Sequence, residues 1–156
     1  MGRLFDAFAS ILQVQQSVSY EAQAAMELEA LAGKSRLSPA EALDATEDIQ
    51  SFPHLAQWVI SATLDGTRLF EDIARIAHAG IATLVARSLI DAAQEEATEV
   101  IGITGGCAVN RILMTDILQV FRHQRPSLTV LTHKKVPATD GGLSLGQAAA
   151  GRLWSR

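Results

Sequence analysis

Two glycine pairs in the second half of the chain have the residue types and spacing of an anion-binding site. The pair Gly105-Gly106 follows a short apolar run, and the pair Gly141-Gly142 follows Asp140. Glycine at such a turn lets main-chain N–H groups come close to an anion, and a helix that begins there adds partial positive charge. Because both turns belong to one strand–helix–strand unit and one carries a carboxylate, the sequence favours a site for a nucleotide or a metal–phosphate complex.

Each candidate residue also has a purely structural interpretation. Asp140 could bind a metal, since carboxylate oxygens suit a hard cation that bridges phosphates, but from spacing alone a helix N-cap is the more frequent role. Gly105 and Gly106 could simply form a tight strand-to-helix turn, and Asn110 could bond a loop carbonyl. No histidine adjoins Cys107 in sequence, so we expect a buried small residue there and not a nucleophile.

The spacing of apolar residues predicts the elements that must position these turns. Predicted helices span Arg3–Gln16, Ser19–Gly33 with a cap at Ser19-Tyr20-Glu21, His54–Leu64, Gly66–Ala97, Ala108–His123 and Leu143–Leu153, and another starts at a capping box from Ser38 to Glu41. Predicted strands span Val100–Thr104 and Leu128–Thr132. Strand, helix and strand in this order imply a parallel pair with a crossover. The sequence therefore predicts a predominantly helical α/β fold with a short parallel sheet.

The longest predicted helix, Gly66–Ala97, has a continuous stripe of small and apolar residues that indicates buried packing, with Gly80 allowing a neighbour to come close. We expect His78 to lie off this stripe as a packing or solvent residue. His133 is expected at a surface strand end. We expect Trp58 and Trp154 to pack and not to bind a base.

Composition restricts the class of protein. The 156 residues, 48% hydrophobic and 19% charged, fit one folded domain over residues 1–156. A net charge of −4 and only 5% aromatic residues argue against a nucleic-acid partner. We recognise no secretory signal and no apolar run of the roughly 20 residues that a bilayer requires. A single cysteine excludes an internal disulfide. We therefore expect a cytoplasmic protein without a membrane partner.

Four segments resemble, in the same order, the C-terminal part of the HypF carbamoyltransferase family: GRLFDAFASIL, SYEAQAAMELEALA, TGGCAVNRIL and VPATDGGLSLGQAAAGRL. The resemblance runs from Gly2 almost to the end of the chain. The GGxxxN and DGG elements are shared with tRNA threonylcarbamoyladenosine transferases and O-carbamoyltransferases. The resemblance implies a partial actin-like ATPase (ribonuclease H-like) lobe. It also implies chemistry in which carbamoyl phosphate and ATP give a carbamoyl-adenylate, and the carbamoyl group passes to the C-terminal cysteine of HypE in [NiFe]-hydrogenase maturation.

The resemblance also implies roles for individual residues. Asp140 matches the aspartate that binds the active-site metal. The residues that match nucleotide contacts are Gly105, Gly106, Asn110 and Gly141 in the glycine turns, and Glu21 and Ala22 with nearby Glu27 at a helix start. The implied cofactors are ATP with magnesium and, in a complete enzyme, a divalent iron or zinc. The implied partner is a HypE-like maturation protein.

Several departures from the family pattern shape the expected activity. The family's HxxxH metal motif is absent, because no two of His54, His78, His123 and His133 have that spacing. Ala22 replaces a glycine, TGGCAVN replaces the commoner GGVFQN, and ATDGG replaces PNDGG. The chain thus resembles about half of one catalytic domain. We expect either a fragment or subunit of an enzyme whose missing half is supplied elsewhere, or a catalytically inert module that binds a nucleotide or a protein partner or associates with itself. Since two strands leave unpaired edges, we expect a homodimer or a tightly held partner.

Overall fold

The computed structural model of the protein describes Met1–Trp154 and combines seven α-helices with a two-stranded parallel sheet in that range. The helices are α1 (Gly2–Ile11), α2 (Gln23–Ala32), α3 (Pro39–Asp44), α4 (Phe52–Asp65), α5 (Phe70–Glu95), α6 (Arg111–Gln124) and α7 (Leu143–Trp154). The strands are β1 (Val100–Gly102) and β2 (Thr129–Leu131). Two 3₁₀ turns, Gly106–Val109 and Asp140–Gly142, lie after the strands. The predicted predominantly helical α/β class is confirmed.

Helix α5 is the centre of the core, and α2, α3, α4 and α6 pack around it. Fifteen of its 26 residues are buried. A Cβ built on Gly80 would lie 2.6 Å from Cδ1 of Leu55, so the small residue admits a leucine side chain from α4. Helix α5 is long and apolar enough to cross a membrane by composition alone, but 78% of that window is buried inside the protein. This burial is the pattern of a helix that packs in the core of a fold.

Gly66 marks the end of α4 and not the start of the following helix, which corrects one predicted boundary. Its backbone is left-handed, with φ at 63°, and it caps α4. Glycine adopts this conformation without steric cost, which is why it so often follows a helix. Helix α5 begins at Phe70, with Glu71 and Asp72 in its first turn.

Two helices end with a left-handed residue that is not glycine. After α1, Gln13 has φ at 56°, and the N–H of Val14 donates to Ala9 O at 2.8 Å. After α5, Ala97 has φ at 49°, and the N–H of Thr98 donates to Ala93 O at 2.9 Å. These reverse bonds close each helix, so α1 stops at Ile11, short of the predicted Gln16.

The sheet pairs β1 with β2 in parallel, through helix α6 as the crossover, as the sequence predicts. Ile101 lies opposite Val130 and is buried. Both strands are shorter than predicted. The N–H of Ile103 still donates to Leu131 O at 3.1 Å, and the Thr104 side chain then bonds to His133 in the loop that follows β2.

A buried ion pair joins α5 to α6. The Arg75 guanidinium donates to both carboxylate oxygens of Asp116, at 2.6 and 2.8 Å, and the two side chains are only 7% and 0% exposed. Burial raises the pKa of Asp116, and the adjacent Arg75 limits that rise. The pair fixes the mutual register of the two helices that carry the candidate site.

Helix α7 contrasts with the rest of the fold, because none of its residues is buried. Its main contacts are with the 3₁₀ turn that precedes it. Trp154 is 88% exposed, so the expectation that it packs is wrong within this chain. Trp58, in contrast, is half-buried against the core as expected.

Candidate functional site

The first glycine turn is tied to the segment that leads into the second. The N–H of Gly105 donates to Ala138 O at 3.0 Å. The His133 ring spans the same two segments: Nδ1 donates to Val136 O at 3.1 Å, so Nε2 accepts from the Thr104 hydroxyl at 2.9 Å. His133 is exposed, as expected for a strand end. The structure therefore brings Gly105, Gly106 and the Asp140 turn to the same end of the sheet.

Glycine has different uses at the two turns. Gly105 has φ at 99°, which favours glycine, and a Cβ on Gly106 would meet nothing within 4 Å. At the second turn, a Cβ on Gly142 would lie 2.7 Å from Pro137 O, and one on Gly141 would lie 3.3 Å from Pro137 Cγ. Internal packing accounts for the second pair, whereas the space around Gly106 is open.

The donors available to an anion differ from those expected. Since Gly105 gives its N–H to Ala138, that group is already used. The 3₁₀ turn Gly106–Val109 leaves the N–H groups of Gly106 and Cys107 without partners inside the turn. Cys107 packs against the core as a partly buried residue, less buried than the sequence predicts.

Asn110 is the N-cap of α6, so this helix starts at Arg111 and not at the predicted Ala108. Its Oδ1 accepts from the N–H of Leu113 at 2.8 Å. Its Nδ2 donates to Nε2 of His78 at 3.2 Å. The side chain is buried and points into the protein. The backbone of Asn110 closes the glycine turn, because its N–H donates to Cys107 O at 3.2 Å.

Glu29, which sequence analysis did not single out, also bonds the start of α6. Its Oε1 accepts from the N–H of Arg111 at 2.7 Å. A carboxylate at this place compensates the partial positive charge of a helix N-terminus. The α6 N-terminus therefore has its own anion, and an external phosphate would meet the preceding 3₁₀ turn instead.

Asp140 is exposed and caps no helix. The residue before the 3₁₀ turn is Thr139, and no side-chain capping bond is present there. The N-cap interpretation of Asp140 is therefore wrong, and its carboxylate remains open to solvent. Among residues 1–154, no group of three or more His, Cys, Asp or Glu could hold a metal. The hard oxygens of Asp140 suit magnesium or another divalent cation as one ligand of a larger set.

Glu21 and Ala22 lie just before α2, which begins at Gln23. The predicted cap at Ser19 is wrong. Ser19 is instead bonded through its own N–H to Oε1 of Gln23 at 2.8 Å. Ala22 is the N-cap with φ at 62°, a conformation that costs an L-residue roughly 1–2 kcal/mol. Within the described chain, no hydrogen bond joins Glu21 or Ala22 to either glycine turn.

His78 is the other site residue that sequence analysis did not identify as such. It is fully buried on α5, directly behind Asn110, and its ring centroid lies 5.0 Å from that of Phe5. Burial is the main cause that lowers its pKa to about 4, while its bond to Ala74 O acts in the opposite direction. The ring is therefore neutral at physiological pH.

A family model described as the carbamoyltransferase Kae1-like domain, second subdomain, matches residues 1–147 of this chain. The chain belongs to this family. The predicted resemblance to HypF is thereby confirmed. Curated relatives include the carbamoyltransferase HypF of Rhodobacter capsulatus, 37% identical over 169 residues, which cover 99% of this chain and 20% of the relative. HypF of Rhizobium leguminosarum bv. viciae is 37% identical over 161 residues, 97% and 19% of the two chains.

Solved HypF structures share the fold. The crystal structure of T. kodakarensis HypF superposes with a TM-score of 0.80 at 26% identity, over 99% of this chain and 20% of that one. A full-length HypF in the phosphate- and nucleotide-bound form gives 0.76 at 29% identity, over 95% and 23%. The chain thus spans about a fifth of the length of these HypF proteins. Its fold is that of one subdomain of the Kae1-like domain.

Proposed function

We propose that this chain supplies the nucleotide-binding half of a HypF-type carbamoyltransferase site. The observation that carries the proposal is the bond between Gly105 N and Ala138 O, which places the open turn at Gly106 beside the turn that carries the free Asp140 carboxylate. One turn offers N–H donors for phosphate, and the other offers a hard ligand for the cation that accompanies it. Membership of the HypF family supports the same assignment.

The residues of the chain would then have distinct tasks. The N–H groups at Gly106 and Cys107 bind a phosphate of ATP, and Asp140 binds the metal, while the adjacent Gly141 lets the Asp140 turn pack against Pro137 beside the nucleotide. Bound magnesium offsets phosphate charge, and an iron or zinc site would take its further ligands from the rest of the enzyme. Glu21 and Ala22 face the nucleoside only if the nucleotide extends to the start of α2. Asn110 contributes by shaping the turn.

The proposed reaction is the HypF reaction. Water releases carbamate and inorganic phosphate from carbamoyl phosphate, and a carbamate oxygen attacks the α-phosphorus of ATP to give a carbamoyl-adenylate and pyrophosphate. A cysteine thiolate of a HypE-like protein then takes the carbamoyl group, and AMP leaves. We place this activity in the cytoplasm. The ligands and walls that this chain does not provide would come from the rest of the enzyme, on the same polypeptide or on a second one.

Exposed apolar side chains of the C-terminal helix indicate that another surface covers it. Leu143, Leu145, Leu153 and Trp154 are 60%, 57%, 72% and 88% exposed. A 12-residue helix with no buried side chain is marginal by itself in water. Because the matched family model is the second subdomain of a larger domain, we propose that the first subdomain covers α7. A homodimer through the same helix is the competing outcome, which light scattering of the chain with and without a first subdomain distinguishes.

A second candidate function is a catalytically inert module that binds a nucleotide or a protein. The observation that favours it is the lack of a multi-ligand metal cluster among residues 1–154. A further alternative is a piece of an O-carbamoyltransferase or a threonylcarbamoyl transferase. Such an enzyme would bind the nucleotide with the same two turns but transfer its group to another acceptor.

Calorimetric titration of MgATP into the purified chain tests the proposal. We expect binding that weakens about tenfold or more in Asp140→Ala, since a charge-assisted ligand is lost. Asp91→Ala is the matched control, because Asp91 is exposed on α5. We expect carbamoyl-phosphate-dependent pyrophosphate release only after a first subdomain is added. The proposal would be contradicted if the chain bound no MgATP with or without the first subdomain, or if this chain alone gave full turnover.

A further inference from the structure

His78 has hydrogen-bond partners that fix its tautomer. Its Nδ1 lies 2.8 Å from Ala74 O, and a carbonyl oxygen can only accept. Nδ1 must therefore carry the hydrogen of the neutral ring. Nε2 is then a bare acceptor, and it faces Nδ2 of Asn110 at 3.2 Å. The ring is fully buried, so water does not compete for this nitrogen.

Asn110 is oriented from both ends by this arrangement. The N–H of Leu113 can only donate, so the amide oxygen of Asn110 must face it, at 2.8 Å. The amide nitrogen then faces the acceptor nitrogen of His78. In this series of hydrogen bonds, from Ala74 O through His78 and Asn110 to the N–H of Leu113, every donor faces an acceptor. A flipped amide would place two acceptors together at His78 and two donors together at Leu113.

We infer that His78 is a positioning residue for the first glycine turn, which it anchors to the core helix through the amide of Asn110. This inference rests on the proposed function, since it makes His78 the support of the turn assigned to phosphate. Asn110 ends that turn and donates its own N–H to Cys107 O. The other end of the turn is held by the bond from Gly105 to Ala138. His78 therefore connects the Asn110 end of the turn to the buried helix α5, whereas the bond to Ala138 connects the other end to a surface loop.

The surroundings keep the acceptor nitrogen free of a proton. Phe5 of α1 packs against the ring, and Arg75 lies one helical turn away on α5. Arg75 is itself neutralised by Asp116 of α6. Burial and the positive charge of Arg75 both lower the pKa of His78. Nε2 of His78 therefore accepts the hydrogen bond from Asn110 across the whole physiological pH range.

Two measurements on the full chain test the inference. Long-range ¹H–¹⁵N correlation of the histidine rings at pH 7 should show the Nδ1–H tautomer at His78. Amide hydrogen exchange should then compare wild type with His78→Phe, which fills the space without an acceptor, and His78→Gln, whose amide oxygen can reach Asn110. We expect exchange at Ala108–Asn110, whose N–H groups close the turn, and at Leu113 to rise about tenfold or more in His78→Phe and to return towards wild type in His78→Gln.

Thr83→Val is the matched control, because Thr83 lies on the same helix and its hydroxyl is 3.2 Å from that of Thr46 in the buried core. This variant should raise amide exchange no more at the glycine turn than elsewhere in the core. An Nε2–H tautomer at His78, or an increase in His78→Phe as uniform as in the control, would overturn the inference. If His78→Phe does not fold, the wild-type tautomer and the exchange profile of Asn110→Ala decide the question.

A parallel MgATP titration separates this inference from the proposed function. If wild type binds MgATP, His78→Phe should weaken binding about tenfold and His78→Gln should restore it. Unchanged affinity in His78→Phe despite faster exchange would overturn the role in the site. If wild type binds no MgATP, the proposed function fails, while the tautomer and exchange results still confirm or overturn the anchor itself.

Discussion

The two glycine turns of the candidate site lie side by side but are supported in different ways. The turn at Gly106–Val109 is backed by the core, through Asn110 and the buried His78. The turn at Asp140–Gly142 leads into α7, which has no buried residue. One half of the site is therefore pre-organised by this chain. The other half keeps its shape by local packing against Pro137 and by whatever covers α7 in a larger assembly.

This difference has a chemical meaning. A phosphate-binding turn works best when its donors are already oriented, since ordering them on binding costs affinity. A metal-binding carboxylate on a less supported segment can adjust to ligands that come from elsewhere. We therefore expect changes behind the first turn to alter both stability and binding, and changes at the second turn to alter binding alone.

The largest expected effect lies behind the first turn, at the buried ion pair. Asp116→Ala leaves the Arg75 guanidinium buried without its partner and should lower the free energy of unfolding by about 3–5 kcal/mol. Urea denaturation measures this loss. The double variant Arg75→Leu, Asp116→Leu should recover much of it, because no uncompensated charge remains. A single variant as stable as wild type would mean that solvent reaches the pair.

The second largest expected effect is a pH dependence of the free energy of unfolding that comes from His78. Its pKa is lowered from 6.5 to about 4 in the folded protein. Between these two pH values His78 is protonated in the unfolded chain but neutral in the folded one. The free energy of unfolding should therefore fall as pH decreases from about 6.5 to about 4, by up to about 3 kcal/mol. Below that range His78 adds no further loss.

The difference between wild type and His78→Gln in urea denaturation at pH 7 and pH 4.5 isolates this contribution from that of the carboxylates. A difference that does not change with pH would show that the ring is not held neutral. It would also weaken the contrast between the two turns.

Alanine substitutions in the two glycine turns should have different effects on stability and on MgATP affinity. Gly106→Ala meets no neighbour, so the melting temperature should stay nearly unchanged while MgATP affinity falls about tenfold. Gly142→Ala brings a Cβ to 2.7 Å from Pro137 O and should distort the second turn. The expected loss of global stability is under about 1 kcal/mol, because the segment packs little against the core. Melting curves and calorimetric titrations measure both effects, and a large melting shift in Gly106→Ala would reverse the assignment.

The smallest expected effect is a gain. Ala22→Gly relieves a left-handed alanine at φ 62° and should raise stability by about 0.5–1 kcal/mol after the added chain entropy is counted. Ala30→Gly is the control in the same helix, where it should cost about 1 kcal/mol. Opposite signs for the same substitution, read from thermal melts, would confirm the strained start of α2. Equal losses would contradict it.

Local signals in the sequence predicted much of the fold. The capping box at Ser38 forms with both of its bonds, since Glu41 lies only three residues away. The strand–helix–strand unit and the family were also predicted correctly. The errors were at element ends, such as Gly66 and Ala108, where backbone conformation and not apolar spacing decides the boundary.

The support of the site could not be predicted in the same way. Asn110 meets His78 across 32 positions, and Glu29 reaches the N–H of Arg111 across 82. Such contacts exist only after α2, α5 and α6 pack together. Periodicity indicated the apolar residues of α5 that face the core, but it placed His78 off that stripe, whereas the structure buries the histidine fully.

The parallel sheet has a consequence for the order of folding. Val100 pairs with Thr129, so the loop that contains α6 must close before the first ladder bond forms. Closing such a loop costs entropy that contacts between neighbouring helices do not require. We expect the helical core around α5 to assemble first and the strand ends that carry both glycine turns to become ordered last. A ligand that joins those turns would therefore stabilise the final step of folding and slow its reversal.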